Sequence, residues 1–374
     1  MHSAGEKQRI FCLYANQNDP DATCAPVLGP KLMTSKRIPY MPVSVSKTPA
    51  RLSFGGGGTD LKAYYARHGG LVISGAIDKY FVSVVSGRAD KKLVISSADY
   101  DRVEEYDSID AINTDGVFGL MKAVVETFHP GFGLRMHSTS DIPPGSGLGL
   151  SGAATVGTIK AVSSLLGKRL SPAEIAEVAS YIEIDQLRRP IGKQDQYAST
   201  FGGLNEIEFS SDSVTVSPLS ISAQSLRELG RWTMLYFTGK SRDSASILSE
   251  QTGKTSRGQE GAIDALHQIK ERARQMKAAI LDGDYVRLGE LVHASWQAKK
   301  SIVDTISSSK IDDIYGLARK EGAIGGKICG AGGGGFLMLI CAPEKQATVE
   351  AALKKVRLDR LRFKFTKRGT HIAS

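Results

Sequence analysis

The sequence is poor in cysteine, in tryptophan and in long apolar segments, and each shortage excludes a class of protein. Its 374 residues include four cysteines and two tryptophans. The cysteines form no CxxC pair and have no histidine pair nearby at zinc-binding spacing, so we expect free thiols rather than disulfides or zinc. No apolar run approaches the ~18 residues that a transmembrane helix requires. The cysteines are Cys12, Cys24, Cys329 and Cys341.

Basic blocks are also missing, although the chain carries a formal net charge of +9. Lysine and arginine are scattered and do not alternate with aromatic residues as in RNA-binding segments. The surplus therefore indicates either a solvated surface or attraction of phosphorylated small substrates. Glu6, Lys7 and Arg9 interrupt any signal-peptide core. We expect a cytoplasmic protein with no nucleic-acid or membrane partner, and leave open whether it forms a homodimer.

The length favours two domains rather than one. Residues 1–42 contain clusters of Asn, Asp and Pro without a sustained period, which predicts a poorly ordered extension. From residue 43 onward, strand-like and helix-like segments are interspersed, which predicts an α+β fold. We place an N-terminal domain at 43–219 and a C-terminal domain at 220–374.

Hydrophobic periodicity locates the main elements. Strands are predicted at 43–54, 70–86, 93–96, 134–139, 232–238 and 361–366. Helices are predicted at 117–128, 151–166, 172–182, 263–280, 285–299 and 344–357. The start of the third helix is marked by Ser171-Pro172-Ala173-Glu174, a capping box with proline at the first helical position.

Glycine, in contrast, is abundant: 40 residues, many of them in three clusters at 54–60, 143–152 and 330–335. The second cluster lies between a predicted strand and a predicted helix. A loop without side chains lets a polyphosphate approach the backbone, and the helix N-terminus then faces the anion. In this setting Ser151 either caps the helix or binds Mg²⁺.

Two other phosphate-binding motifs compete with this interpretation. Gly239-Lys240-Ser241 and Gly253-Lys254-Thr255 end like a P-loop, but Met234 and Leu248 stand where the motif needs its first glycine. Gly147-x-Gly149-x-x-Gly152 matches the dinucleotide fingerprint. That motif normally lies in the first βαβ unit, whereas several strands precede it here, and it leaves the other glycine clusters unexplained.

Taken together and in this order, the three glycine clusters resemble the motifs of the GHMP kinases. The segment 143–151 is similar to the family's phosphate loop, and 330–334 to its third motif. Arg51 lies nine residues before Asp60, the spacing of the first motif in the sugar kinases of the family. Leu150 and Gly152 depart from the family pattern, which has a small hydroxyl residue and Ser or Ala.

The resemblance covers roughly 43–374 and implies a two-domain fold with the active site between the domains. The N-terminal domain would be similar to domain 2 of ribosomal protein S5, and the C-terminal domain would be ferredoxin-like.

Four further segments are similar to bacterial kinases of D-glycero-D-manno-heptose 7-phosphate: 54–60, 77–80, 192–197 and 238–241. The resemblance implies ATP-dependent phosphorylation of the anomeric hydroxyl to the 1,7-bisphosphate, on a route to GDP-heptose for capsule or lipopolysaccharide. The alternatives are another anomeric sugar kinase, for example for L-fucose, and a dinucleotide-dependent oxidoreductase.

By the same resemblance, Asp195 would take the proton from the sugar hydroxyl, and Arg51 would stabilise the transferred phosphoryl group. Ser151 and Glu183 would complete a Mg²⁺ site, with Asp185 as the alternative carboxylate. The nucleotide would contact Pro144, Gly145, Ser146, Gly147, Leu148, Gly149 and Ser151.

The sugar would contact Gly57, Gly58, Thr59, Asp60, Lys193, Gly332 and Gly333. Asp60 has a second predicted role, compatible with the first, as the cap of a helix that begins at Leu61. A phosphate on the substrate needs basic partners, and the candidates near the motifs are Lys79, Arg188, Arg189 and Lys193.

Overall fold

The computed structural model describes residues 41–239 and 244–373, which form two β-sheets with helices packed against them. The predicted extension at 1–42 lies almost wholly outside the described residues. The predicted α+β class is confirmed, and the capping box of Ser171 and Glu174 is present with both of its hydrogen bonds.

The strands predicted at 43–54, 70–86, 93–96, 134–139 and 232–238 are confirmed to within two residues. The described residues form twelve strands. They are β1 Val43–Gly55, β2 Gly70–Arg88, β3 Leu93–Ser97, β4 Arg102–Tyr106, β5 Gly133–Ser140, β6 Leu204–Phe209, β7 Val214–Pro218, β8 Thr233–Phe237, β9 Ala323–Ile328, β10 Phe336–Cys341, β11 Arg360–Leu361 and β12 His371–Ile372.

The described residues form eleven α-helices. They are α1 Lys62–His68, α2 Gly119–Phe128, α3 Leu150–Leu165, α4 Pro172–Ser180, α5 Gln194–Phe201, α6 Ala223–Trp232, α7 Ser244–Ser256, α8 Glu260–Asp282, α9 Tyr285–Lys300, α10 Ser309–Lys320 and α11 Gln346–Lys355. A π-helical turn, Tyr181–Gln186, continues α4, and 3-10 turns cover Ile109–Ala111, Asp304–Ile306 and Pro343–Lys345.

The first sheet is organised around the long strand β2. Its neighbours give the order β12-β1-β2-β5-β3-β4, while β6 also pairs with β2 and carries β7. β2 can hold two partners on one side because β6 pairs with residues 70–75 and β5 with residues 81–88. The β3–β5 pair is parallel, and the other pairs in this sheet are antiparallel.

The second sheet has the order β11-β8-β10-β9, and all of its pairs are antiparallel. The strand predicted at 361–366 is mostly wrong, since regular pairing ends at Leu361. Beyond it the chain crosses to the first sheet. There Lys364 exchanges backbone and side-chain bonds with Asp78, Phe365 bridges to Ile77, and β12 pairs with β1.

One hydrophobic core connects the two sheets. It contains Leu52 and Phe54 of β1, Met276 of α8, Val292 of α9 and Met338 of β10, all at most 1% exposed. Because this core is continuous, the loops at its edge are held in fixed relative positions. The boundary between predicted domains at 219–220 stays a prediction.

No helix in the described ranges is long and apolar enough to cross a membrane. Cys329 and Cys341 are buried free thiols, whereas Cys12 and Cys24 lie outside the described residues.

Candidate active site

Arg51 and Asp195 meet although 144 positions separate them in the sequence. Arg51 Nε donates to Asp195 Oδ1 at 2.8 Å, and Arg51 Nη2 lies 2.7 Å from the same oxygen. Arg51 Nη1 donates to the carbonyl oxygen of Gly147 at 2.7 Å. One guanidinium group therefore joins the carboxylate to the phosphate loop. The Arg51 side chain is 3% exposed, whereas that of Asp195 is 26% exposed, so the carboxylate opens toward the cleft.

Local backbone geometry explains why the Arg51 side chain points toward Asp195 and the phosphate loop. The β1–β2 register shifts between Pro49 and Ala50 and again between Ser53 and Gly55. Such irregularities re-aim side chains and are frequent beside active sites. Backbone bonding adds to this, because the Arg51 amide donates to Leu148 O at 2.9 Å.

Two glycines of the phosphate loop make room for this pair. A methyl group on Gly149 would lie 2.9 Å from Arg51 Cγ, and one on Gly152 would lie 2.8 Å from Asp195 Cβ. Gly152, which departs from the family pattern, therefore lets α3 approach α5 at Asp195. That packing accounts for the third glycine of the apparent dinucleotide fingerprint.

Asp60 is bound to the segment before Asp195. Its Oδ1 accepts from Gly58 N at 2.9 Å and from Gln194 Nε2 at 3.0 Å, and its Oδ2 accepts from Gln194 N at 3.3 Å. A methyl group on Gly192 would lie 2.0 Å from Asp60 Oδ2, so this contact requires glycine. Burial raises the pKa of Asp60. The predicted capping role is wrong, because no side chain caps α1 at Leu61.

Unsatisfied polar groups surround the first glycine loop. Ser53 Oγ, Gln194 Oε1 and both amide atoms of Gln251 are buried without a hydrogen-bond partner among the described residues. A methyl group on Gly57 would lie 3.8 Å from Gln194 Nε2 and 4.0 Å from Ser53 Oγ, and one on Gly58 would lie 2.5 Å from Gln251 Nε2. Buried polar atoms without partners are costly, so this set is typical of a site that a polyhydroxylated ligand completes.

The phosphate loop is built as the sequence predicts. Gly145, Gly147 and Gly149 all have positive φ, and α3 begins after Gly149 without a side-chain cap. Beside it, Ser146 Oγ is buried and has no hydrogen-bond partner within 41–239 and 244–373. An uncapped N-terminus of a 16-residue helix, next to an orphan hydroxyl, fits the phosphates of a nucleotide.

Ser151 does not cap α3, so that alternative is wrong. Instead Ser151 Oγ donates to Glu183 Oε2 at 2.9 Å, and Glu183 Oε1 accepts from Gln196 Nε2 at 2.8 Å. Glu183 is fully buried on the π-helical turn, while Asp185 is exposed. Burial raises the pKa of Glu183, and the hydrogen bond from Gln196 and the charge of Arg189 oppose that shift.

The Ser151–Glu183 pair fits a divalent cation by its donor chemistry. A hydroxyl and a carboxylate are hard oxygen ligands, and Mg²⁺ characteristically binds a few of these together with water and substrate phosphates. Arg189 lies on the same atoms: its Nη1 donates to Ser151 Oγ at 3.0 Å and is 3.7 Å from Glu183 Oε2. The described residues contain no group of three or more His, Cys, Asp or Glu that could hold a metal without such help.

The third glycine loop closes against the second. The Phe336 amide donates to Ser146 O at 2.9 Å, and a methyl group on Gly147 would lie 2.6 Å from Cys329 O. Gly333 N donates to Ile306 O at 2.8 Å, and Gly332 packs against the same residue. The loop is therefore fixed between the phosphate loop and the turn at Asp304–Ile306.

Several predicted contacts are taken by other partners. Thr59 is fully buried, and its hydroxyl is bonded to the Gly56 and Leu71 backbone. Lys193 Nζ pairs with Glu177 at 2.9 Å. Arg188 is exposed with a φ of 52°, and Lys79 lies half-buried on β2.

The rejected P-loop at Gly253-Lys254-Thr255 lies inside α7, where no loop forms. Lys240 and Ser241 lie outside the described residues.

The sequence reasoning missed two lysines. Lys299, at the end of α9, and Lys327, on β9, are each 6% exposed. Lys299 Nζ donates to Gly330 O at 2.6 Å, next to the phosphate loop. An isolated lysine carries no distinctive motif, although the position of Lys327 three residues before the third glycine cluster was a usable signal.

Comparison with known proteins matches two family models to the chain. The model of the GHMP kinases N terminal domain matches residues 116–203, and the GHMP kinases C terminal model matches 276–357. The first match contains the phosphate loop and Asp195, and the second contains both buried lysines.

Two curated relatives illustrate the similarity. The D-glycero-alpha-D-manno-heptose 7-phosphate kinase of Campylobacter jejuni is 37% identical over 330 residues, which cover 87% of this chain and 97% of the relative. The L-fucokinase/L-fucose-1-P guanylyltransferase of Bacteroides fragilis is 26% identical over 333 residues, covering 81% of this chain and 35% of the relative.

Two solved structures are also similar to this chain over most of its length. A D-glycero-D-manno-heptose 1-phosphate kinase from Bacteroides thetaiotaomicron superposes with a TM-score of 0.74 at 29% identity, covering 89% of this chain and 99% of the other. A putative sugar kinase from Campylobacter jejuni superposes with a TM-score of 0.72 at 35% identity, with the same coverage.

Proposed function

The chain belongs to the GHMP kinase family, and from that premise we propose that it transfers the γ-phosphoryl group of ATP to the anomeric hydroxyl of D-glycero-D-manno-heptose 7-phosphate. The product would be the 1,7-bisphosphate. The observation that carries the proposal is the Arg51 guanidinium group, which contacts both Asp195 and the phosphate loop. The dinucleotide-dependent alternative is wrong, because GHMP kinases use ATP as phosphate donor.

In the proposed reaction the anomeric oxygen forms a bond to the γ-phosphorus, and the bond from that phosphorus to the β,γ-bridging oxygen breaks. The hydroxyl proton passes to Asp195 Oδ2, since Oδ1 is held by Arg51. ADP leaves with the bridging oxygen.

Arg51 would hold the Asp195 carboxylate in position and would supply positive charge beside the transferred group. Most of the catalytic effect in phosphoryl transfer comes from such positioning and charge stabilisation.

Donor binding would use the α3 N-terminus and Ser146. Mg²⁺ would be held by Ser151 and Glu183, and once bound it would neutralise phosphate charge. Since Arg189 contacts both of these side chains, it would have to yield to the ion or turn toward the phosphates. Glu183 is the better candidate than Asp185, because only Glu183 reaches Ser151 among the described contacts.

Acceptor binding would use Asp60, Gln194, Ser53 and Gln251 around the first glycine loop. Gly57 and Gly58 would let the sugar approach the backbone, and Gly332 and Gly333 would line the opposite side. Thr59 would act by fixing the loop, since its hydroxyl is bonded to the backbone.

The names of the relatives differ on which heptose monophosphate is the acceptor, the 7-phosphate or the 1-phosphate. Both place a phosphate on the sugar. We choose the 7-phosphate because the relative with 37% identity carries that name. We also propose a cytoplasmic location, where ATP is available, and a role for the product in making nucleotide-activated heptose for capsule or lipopolysaccharide.

A coupled ADP-release assay tests the function. The panel contains heptose 7-phosphate, heptose 1-phosphate, free heptose, L-fucose and galactose, each with Mg²⁺ and ATP. We expect the largest kcat/KM with heptose 7-phosphate. A preference for L-fucose, which the Bacteroides fragilis relative makes the main alternative, would overturn the assignment.

A further inference from the structure

Two buried lysines, Lys299 beside the third glycine cluster and Lys327 on β9, have no carboxylate partner among the described residues. No Asp or Glu of the described residues comes within ion-pair distance of Lys299 or Lys327. Lys299 donates to one acceptor, Gly330 O, and the Lys327 ammonium group has no hydrogen-bond acceptor within the described ranges. A lysine residue that is only 6% exposed normally pairs with an anion, because removing its charge from water is costly.

The two lysines lie on two elements that pack against each other, α9 and β9. Lys299 lies in the last turn of α9, and Lys327 pairs with Met338 across β9 and β10. Met338 belongs to the core shared with α8, α9 and β1, so Lys327 lies on the sheet face that meets the first half of the chain. The charged groups that influence both lysines are Arg51, Asp60 and Cys329, and Asp195 also influences Lys299.

We propose that Lys299 and Lys327 bind the phosphate monoester that the acceptor sugar already carries, and so determine selectivity for a sugar phosphate over a free sugar. This inference rests on the proposed function, and it identifies the part of the site that recognises the class of substrate. It replaces Lys79, Arg188, Arg189 and Lys193 as the candidate phosphate ligands.

The charge of the two lysines selects the ligand. Sugar hydroxyls need one acceptor or donor each and do not compensate two buried cations. A phosphate monoester is a dianion at neutral pH with three terminal oxygens, so it can accept from both ammonium groups at once. A metal ion is excluded at this position because the ligands are themselves cations.

The position favours the acceptor over the donor. The donor phosphates have their own partners at the α3 N-terminus, Ser146 and the Ser151–Glu183 pair. Among carboxylates, Asp60 has the largest effect on Lys299, ahead of Asp195, and Glu183 is absent from the charges that influence either lysine. Both lysines are therefore within electrostatic range of Asp60, which the proposed function places against the sugar.

Burial gives the site a pH signature. It lowers the pKa of Lys299 to about 8 and that of Lys327 to about 7, where the charge of Lys299 lowers it further. Asp60 opposes both shifts, while Arg51 adds to them. Each lysine is charged below its pKa and neutral above it. The KM for the sugar phosphate therefore rises as pH increases through 7 to 9, while the KM for the free sugar does not.

The test is steady-state kinetics of Lys299→Met, Lys327→Met and the double variant, with heptose 7-phosphate and with free heptose as acceptors. We expect the double variant to raise KM for heptose 7-phosphate about 100-fold, since a charge-assisted contact is worth about tenfold or more. The KM for ATP and the turnover of free heptose stay within about twofold, and the pH dependence of KM disappears.

Lys300→Met is the matched control, because Lys300 neighbours Lys299 on α9 but pairs with Asp312 at 3.1 Å. It is expected to leave all of these constants unchanged. Equal loss with both acceptors, or a selective rise in KM for ATP, would overturn the proposal and assign the lysines to the transferred or donor phosphates.

Two readouts distinguish a variant that fails to fold from a variant that folds but no longer recognises the phosphate. Thermal melting shows whether a variant is folded, and the ratio of the KM values for heptose 7-phosphate and free heptose shows whether recognition of the phosphate is lost. If the wild type shows no activity on heptose 7-phosphate, the proposed function itself has failed. If the wild type is active but the double variant is unchanged, only the lysine assignment has failed.

Discussion

The proposed active site contains two groups of charged side chains, Arg51 with Asp195 and Lys299 with Lys327. They differ in whether each positive charge has its counter-charge in place. Arg51 has its acceptors in place, Asp195 and Gly147 O, whereas the part of the chain that the structure describes offers Lys299 and Lys327 one backbone carbonyl between them. The first group is complete without ligand, as a preorganised catalytic pair has to be. The second is incomplete and gains its counter-charge only when an anion binds. The difference separates the part of the site that performs the chemistry from the part that selects the substrate.

The largest effect is expected from removing the charge of the complete group. Asp195→Asn keeps the shape of the side chain but not its basicity, so kcat should fall about 10³-fold, within the range of about 10²–10⁴ for a positioned base. The affinity for ATP, measured by calorimetry, should stay within about twofold.

Asp185→Asn is the control for Asp195, because Asp185 is an exposed carboxylate in the same half of the chain. A kcat for Asp195→Asn within tenfold of the wild type would remove Asp195 from the mechanism.

Arg51→Lys keeps the positive charge and loses the planar fork that reaches Asp195 and Gly147 together. We expect kcat to fall about 10²-fold, since a single ammonium group cannot replace a bidentate guanidinium or its contribution to charge stabilisation. The exposed Arg135→Lys change on β5 is the control, with no effect on kcat expected. Full activity of Arg51→Lys would mean that only the charge matters.

Removing a positive charge should affect the free energy of unfolding differently in the Arg51–Asp195 group and in the Lys299–Lys327 group. Arg51→Met leaves Asp195 without its partner, so the free energy of unfolding should fall by about 2 kcal/mol, less than for a fully buried pair because Asp195 is 26% exposed. Lys327→Met removes an uncompensated buried cation and should leave stability unchanged or raise it by about 1 kcal/mol. Urea denaturation without ligands measures both, and a loss of stability on Lys327→Met would contradict the distinction.

Glu183→Gln tests the metal site beside the complete group. Gln can still accept from Ser151 but has no charge for Mg²⁺, so the Mg²⁺ concentration for half-maximal rate should rise about 10- to 100-fold. Because burial raises the pKa of Glu183, its ionised form destabilises the metal-free protein above that pKa. The variant should therefore melt at the same temperature or higher at neutral pH. An equal effect from Asp185→Asn would reassign the ligand.

Gly152→Ala gives the smallest expected effect. The added methyl group would lie 2.8 Å from Asp195 Cβ and 3.1 Å from its carbonyl carbon, so α3 and α5 must separate slightly. We expect kcat to fall about threefold and stability by about 1 kcal/mol. Gly316→Ala in α10, where no atom lies within 4 Å of the added position, is the control and should be neutral or stabilising.

Much of this architecture could be predicted from the sequence because the signals are local. The capping box at Ser171, the spacing of Ile269, Ala273 and Met276, and the glycines of the phosphate loop are each read within a few residues. The C-terminal segment was predicted less well. Residues 363–366 alternate apolar and polar side chains as a strand would, yet Phe363 and Phe365 pack against the core instead of extending the second sheet.

The residues of the candidate site also divide into those that the sequence could identify and those that only the structure reveals. Arg51 and Asp195 could be selected only through family resemblance, since no local pattern reports a contact across 144 positions. The predicted roles of Ser151 and Asp60 as helix caps were decided by geometry that the sequence does not contain. Lys299 and Gln251 could not be found, because burial of a single polar side chain depends on the tertiary packing around it. For Lys327, the one available signal was its position three residues before the third glycine cluster.

The proposed reaction is tested most directly by finding which carbon carries the new phosphate. ³¹P NMR can measure this on the product that the wild-type enzyme forms from ATP, Mg²⁺ and heptose 7-phosphate. We expect one new phosphate signal coupled to the anomeric proton, with the original 7-phosphate signal retained. A new signal coupled to protons of another carbon, or ADP release without any new sugar phosphate, would contradict the proposed reaction.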